Sequence, residues 1–354
     1  MGPSKDLVEQ VRAWIANGAS PRPDNPHQAK EFADAAVRHG LIAWLDDALA
    51  GNALSDWPEV VLADLRASHR RALYDTVQRH ALARRVQDFL SARGLRSLPL
   101  KGTALADTYY PSPAHRPMAD VDVLALERPS DARDALRDAG FTEIAVADHA
   151  WSLQDPEGAG VLELHHSVTS CPGLFPLGVE SLWSRRRETS SGLVIPSAEH
   201  LVVHLALHAA FQHGLVLSIV QYLDFRRLLE RPLDAALLRA EADAAGARVA
   251  LGLALRAARA VVRAPVAPEL EALLPPGPAW LEARLRQPTS LLEPSRPDLV
   301  RVRWTAARGR RLTFLRSTLA GPPRMPEVSP WRGAWQRLVR IARLAPLTVF
   351  PPKR

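Results

Sequence analysis

The chain has 354 residues, 47% of them hydrophobic, and a formal net charge of +7. That length exceeds one typical core and predicts two or three subdomains with a real apolar interior. One cysteine, Cys171, excludes an intrachain disulfide and a cysteine-rich metal site. With no run of 18 apolar residues and charges of both signs from Met1 to Glu9, the expectation is a cytoplasmic protein with no spanning helix or secretory leader.

In chain order, residues 1–94 read as an N-terminal helical region, with helices at Ala29–Ala50 and Pro58–Arg93 and a loop at Ser20–Pro26. A mixed core follows over 95–195. Within it Leu95–Leu100 reads as a strand and Gly102–Tyr109 as the start of a helix. Ala119–Ala125 reads as a second strand. Pro129–Ala139 is a helix ended by Gly140, followed by strand candidates at Phe141–Val146 and Gly160–Val168. Residues 196–280 return to helices, one from about Ser197 to Gln212, until Pro275-Pro276-Gly277-Pro278 interrupts the pattern. A basic extension occupies 281–354. No internal repeat is evident. The fold class expected is α+β: a small mixed β-sheet flanked by helical regions on both sides.

The chemistry concentrates between Leu98 and Leu126. Side chains alternate along a strand, so Asp120 and Asp122 would share one face and Val121 and Val123 the other. Two carboxylates side by side repel unless a cation lies between them, and Mg²⁺ or Mn²⁺ favours such oxygens. Eighteen residues upstream of Asp120, a strand ends in Lys101-Gly102-Thr103. A glycine at such a turn lets backbone amides approach an anion, and Thr103 adds a hydroxyl. Lys101 is one of four lysines against 41 arginines, which suggests a need for a compact ammonium at that point. Arg116 precedes the aspartates. It can clamp a phosphate with its planar fork, or pair with an aspartate and hold the loop.

These residues resemble a known family. Lys101-Gly102, Tyr109-Tyr110-Pro111, Arg116 and Asp120-Val121-Asp122 match, in order and spacing, the uncharacterised nucleotidyltransferase family of the DNA polymerase beta superfamily. The resemblance continues at Leu162-Glu163-Leu164-His165-His166 and through Pro196–Glu230, covering about Ala33 to Val262. It implies a polymerase-beta-like nucleotidyltransferase core, with Glu163 joining Asp120 and Asp122 as catalytic residues and ligands of two Mg²⁺ or Mn²⁺ ions. It also implies a nucleoside triphosphate donor, with Lys101, Gly102, Thr103 and Arg116 toward nucleotide phosphate. Two features depart from the superfamily: the turn is glycine-threonine where glycine-serine is usual, and the 104–119 loop before the aspartates is longer.

On the strand reading, Glu163 and His165 face one way and Leu162 and Leu164 the other. His165 would then act as a general base or support the carboxylates. His204 and His208 are i,i+4 neighbours, and His213 follows. Such a pair can bind zinc with a third ligand, but a polar helix edge beside the active site is the favoured reading. With Asp224, these histidines are also candidates for contact with the acceptor or nucleotide.

Residues 301–354 hold 13 basic residues and one acid, so the global charge belongs to this tail. Trp331, Trp335, Leu338 and Ala342 form an apolar stripe opposite arginines. Such a basic amphipathic helix suits an anionic membrane surface, placing the protein peripherally there, or an acidic partner, or docks on the core. Nucleic acid is disfavoured because the aromatic spacing matches no known module. The function expected is metal-dependent transfer of a nucleoside monophosphate to a hydroxyl or phosphate acceptor, a small molecule or a peptide, as in a biosynthetic tailoring pathway with peptide modification. The alternatives are transfer of another phosphate-linked group, such as a sugar from a nucleotide sugar onto a modified peptide, and a catalytically inactive nucleotide- or partner-binding module.

Overall fold

The computed structural model describes residues 5–18, 22–50, 57–147, 149–169 and 174–274. Cys171, the Pro275–Pro278 break and the whole basic tail, including the Trp331–Ala342 stripe, lie outside them. Four helices come first: α1 (Lys5–Asn17), α2 (Pro26–Arg38), α3 (Ile42–Ala50) and α4 (Glu59–Ser91). The sheet region follows: β1 (Ser97–Pro99), α5 (Lys101–Leu105), a 3₁₀ turn at Pro113–His115, β2 (Val121–Ala125), α6 (Pro129–Asp138), β3 (Thr142–Val146), β4 (Ala150–Gln154) and β5 (Val161–His165). Next come α7 (Val179–Ser184) and a small ribbon of β6 (Arg187–Glu188) and β7 (Val194–Ile195). The last described part is helical: α8 (Ala198–Leu207), a π-helical turn at His208–Gln212, α9 (Ile219–Leu229), α10 (Ala235–Ala244), α11 (Arg248–Val262) and α12 (Pro268–Glu271). The fold is α+β, with the described strands gathered between Ser97 and Ile195.

Local chemistry accounts for the element ends. Asn25 caps α2 by accepting the Gln28 N–H at 2.9 Å, with Pro26 in the first turn, where no N–H is needed. Ser218 and Gln221 form a capping box on α9, and Asp234 caps α10. The expected single helix Ala29–Ala50 is two helices. Gly40 separates them at φ +69°, and a Cβ there would stand 2.8 Å from Val220 Cγ1, so both the conformation and the space call for glycine.

The main sheet runs β1-β2-β5-β4-β3. β2 and β5 are parallel; the other pairs are antiparallel. Pro99 is tolerated because β1 is an edge strand. The alternation read from sequence holds in β2 and β5. Val121, Val123, Leu162 and Leu164 are fully buried, while Asp122 pairs in register with Glu163 on the adjoining strand. Helix α4 packs on β1 and β2, which covers the apolar side and leaves the carboxylate side to the cleft. Among the described residues no helix is long and apolar enough to cross a membrane.

Candidate functional site

The centre of the site follows from one register. Parallel pairing of β2 with β5 sets Asp122 against Glu163, and His165 follows two residues later on the same face. His165 Nε2 lies 2.9 Å from Asp122 Oδ1 and 3.5 Å from Glu163 Oε2. Asp122, Glu163 and His165 each offer a donor atom, all within 4.8 Å of one another. The strand expected from Ala119 begins at Val121, so Asp120 stands one residue before it, on the cleft with Asp122. It remains close enough to feel the others: burial first, then Asp122 and Glu163, pushes its carboxyl up to about 6.

Lys101 closes the cluster. Its Nζ is 2.6 Å from Asp122 Oδ1 and 3.9 Å from Glu163 Oε2. It adopts φ +49°, unusual for a residue with a side chain, and the strain directs the chain from β1 into α5 beside the carboxylates. Burial opposes charge on each of these groups, yet the ion pairs win. Asp122, with Glu163 and Asp120, holds Lys101 above the ordinary lysine value. Lys101 and His165 hold Asp122 well below the carboxylate range, and the hydrogen bond from His165 holds Glu163 low. His165 rises through its bonds to Asp122 and Glu163, against the pull of burial.

Asp120, Asp122 and Glu163 border a cleft of about 810 Å³ between the sheet and the helical regions. The sequence matches, over residues 25–263, the family described as “Uncharacterised nucleotidyltransferase”, which is more than half of the chain. The protein belongs to that family. This nucleotidyltransferase is also similar to the antibiotic-resistance factor ANT(2'')-Ia, whose solution structure gives a TM-score of 0.36 at 13% identity, over 48% of this chain and 91% of that one. No curated protein matches the sequence.

Of the other groups of the nucleotidyltransferase expected at phosphate, Gly102 and Arg116 line the cleft and Thr103 does not. Thr103 is buried, and its Oγ1 accepts the Asp122 N–H at 3.2 Å, so it steadies the start of β2 rather than facing the cleft. Gly102 keeps an ordinary φ; the left-handed turn is at Lys101. What Gly102 supplies is room, because a Cβ there would lie 3.1 Å from Arg116 Nη1. Arg116 pairs with an aspartate, though not one of the cleft aspartates. Its Nε and Nη2 donate to Asp224 Oδ1 and Oδ2 at 2.7 and 2.8 Å, and Nη1 donates to Pro117 O at 2.9 Å. The fork is therefore occupied. Asp224, expected near acceptor or nucleotide, is fully buried and also accepts the Tyr110 hydroxyl at 2.6 Å. The long 104–119 loop is thus pinned to α9 through Arg116 and Tyr110.

The histidines divide. His208 and His213 line the cleft with their Nε2 atoms 3.1 Å apart. The expected uninterrupted helix Ser197–Gln212 ends at Leu207, and the π-helical turn after it brings positions i and i+5 into line. Hence His208 meets His213, while the His204–His208 ring centroids are 6.3 Å apart. His204 is buried with neither ring nitrogen hydrogen-bonded, and burial, then Lys101, lowers it to about 3. His204, His208 and His213 do not converge as a three-ligand group among the described residues.

Cleft residues that the sequence reading missed are Arg38, His149, Gln212, Ser218 and Gln221. His149 precedes β4, whose pairing with β5 brings its ring centroid to 5.3 Å from that of His165. Burial, then His165 and Lys101, lowers it to about 4. Ser218 and Gln221 share the capping-box spacing at the start of α9, but nothing local ties them to Arg38, His149 or Gln212, which reach the cleft from other parts of the chain.

Proposed function

We propose that the protein transfers a nucleoside monophosphate from a nucleoside triphosphate to a hydroxyl or phosphate group on a small molecule or peptide, with divalent ions held by Asp120, Asp122 and Glu163. The observation that carries this reading is the Asp122–Glu163 register, with the Lys101 ammonium drawn onto the same oxygens. Asp122 and Glu163 converge there with one lysine and one histidine, and Asp120 lies close enough to add its charge, an arrangement whose surplus negative charge suits a divalent cation. Bound ions would supply charge neutralisation for the triphosphate, activation of the acceptor oxygen and stabilisation of the departing pyrophosphate.

Asp122 on β2, Asp120 just before it and Glu163 on β5 would hold the ions. Lys101, exchanged from Asp122, would meet the triphosphate. Arg116 acts at one remove, by fixing the loop that carries Asp120. The acceptor oxygen attacks the α-phosphorus, the bond to the α–β bridging oxygen breaks, and pyrophosphate leaves. The acceptor's proton passes to a base on the cleft wall, where the imidazoles of His149, His208 and His213 stand. Positioning and charge neutralisation do most of the work in such transfers.

The test is pyrophosphate release from each nucleoside triphosphate with Mg²⁺ or Mn²⁺ across a panel of acceptors. Release or labelled product that disappears in Asp120→Asn and Asp122→Asn supports the assignment. Equal turnover in parent and variants refutes it. Nucleotide binding without turnover under any acceptor favours a binding module instead.

A further inference from the structure

The third donor that converges with Asp122 and Glu163 is an imidazole, where the sequence led to a third carboxylate. We propose that His165 Nε2 is itself a metal ligand, so that the centre is a mixed nitrogen–oxygen site preferring a divalent transition ion of the Mn²⁺ kind over Mg²⁺. This deepens the nucleotidyl-transfer reading and rests on it for the presence of an ion at these residues.

The distances carry the proposal. An octahedral ion with donors at about 2.1 Å holds neighbouring donors about 3 Å apart. His165 Nε2 lies 2.9 Å from Asp122 Oδ1 and 3.5 Å from Glu163 Oε2, and all three donor atoms fall within 4.8 Å. The imidazole cannot swing to solvent, because its residue is 1% exposed and seated at the end of β5. A cation already serves these oxygens in the form of the Lys101 ammonium, 2.6 Å from Asp122 Oδ1. Asp120, by contrast, stands before β2 and is not part of the converging group. Ligation replaces the Nε2–H···Oδ1 hydrogen bond by an Nε2–metal bond. The ring then keeps its proton on Nδ1, and any second proton leaves to solvent. Mg²⁺ prefers oxygen donors and retained water, whereas imidazole suits transition ions.

The experiment uses the full chain, stripped of metal and titrated calorimetrically with MnCl₂ and with MgCl₂. Pulsed electron paramagnetic resonance is then recorded on the Mn²⁺-loaded protein. The expected result is Mn²⁺ held at least about tenfold more tightly than Mg²⁺, with a directly bound ¹⁴N in the Mn²⁺ spectrum. In His165→Gln the nitrogen signal disappears and Mn²⁺ affinity falls about tenfold or more, the scale of lost metal-site support, while Mg²⁺ affinity holds. Because the parent spectrum reports the nitrogen directly, the proposal stays testable if His165→Gln and His165→Asn fail to fold. Mn²⁺ bound through Asp122 with no nitrogen coupling, or with coupling that survives His165→Gln, overturns the proposal and leaves nucleotidyl transfer standing. Mn²⁺ and Mg²⁺ binding that is absent, or unchanged in Asp122→Asn, overturns both.

Discussion

Two cation–carboxylate pairs draw their cations from the same stretch of chain and do opposite things. Lys101–Asp122 borders the cleft; Arg116–Asp224 anchors the loop beneath it. Exposure does not separate them: their side chains are 15% and 5% exposed in the first pair, and 8% and 0% in the second. The difference is in what surrounds each carboxylate. Asp224 receives two nitrogens of one guanidinium and the Tyr110 hydroxyl, so its oxygens are satisfied by groups that stay in place. Asp122 belongs to a set of three acids, with Asp120 and Glu163, that Lys101 and His165 serve between them. A satisfied buried pair holds structure, while an acid surplus calls for an exchangeable cation.

The sharpest way to break the comparison is to remove one acid from each pair. Asp224→Ala leaves Arg116 buried without its partner and should cost about 3–5 kcal/mol in urea unfolding, with activity lost through the fold. A cost below about 1 kcal/mol would remove the anchoring role. Asp122→Asn should lower pyrophosphate release by about a hundredfold or more, with less loss of stability than Asp224→Ala. If the two variants are equally unstable, both pairs are structural and the contrast fails.

Acid should separate the regions next. His149 and His204, lowered to about 4 and about 3, lie near Lys101, and His39, lowered to about 4 by burial and then by Arg38, supports the start of α9. Because their folded pKa values fall below the unfolded 6.5, their contribution is full above that pH. It is lost as pH falls from about 6.5 toward 4, where the unfolded chain takes up protons the native state refuses. Protection against hydrogen exchange in metal-free protein, taken relative to the unstructured rate at each pH, should therefore fall in α8 and β4 across this window. Flat protection there would show that these imidazoles are not held neutral.

Smaller changes sharpen the boundary. Gly102→Ala puts a Cβ 3.1 Å from Arg116 Nη1, against a guanidinium held by Asp224, and should cost about 1–2 kcal/mol. Combined with Asp224→Ala it should cost little more, since the released side chain can move; full additivity would argue against this coupling. His204→Leu removes two buried nitrogens without hydrogen bonds and should be neutral or stabilising by about 1 kcal/mol in thermal melts. A marked loss of stability would show that His204 has a partner that matters.

Much of the site was legible because strand alternation is a local rule. The runs Asp120-Val121-Asp122-Val123 and Leu162-Glu163-Leu164-His165 fix which side chains bury and which face out, whatever the rest of the chain does. The α+β class and the sheet region followed from the same periodicities. Boundaries were less legible where one residue overrides a pattern. Gly40 splits an otherwise continuous helical run, and the π-helical turn at His208 changes which histidines meet.

The sequence by itself determined the carboxylates, their faces and the family to which the chain belongs. The fold alone decided partners. Arg116 meets Asp224 across 108 residues, His149 reaches His165 through the β4–β5 pairing, and the donors that converge with Asp122 are Glu163 and His165 rather than Asp120. The physical reason is that backbone geometry sets the direction of a side chain within a few residues, whereas the choice among competing charged partners depends on which distant elements packing brings within hydrogen-bond reach.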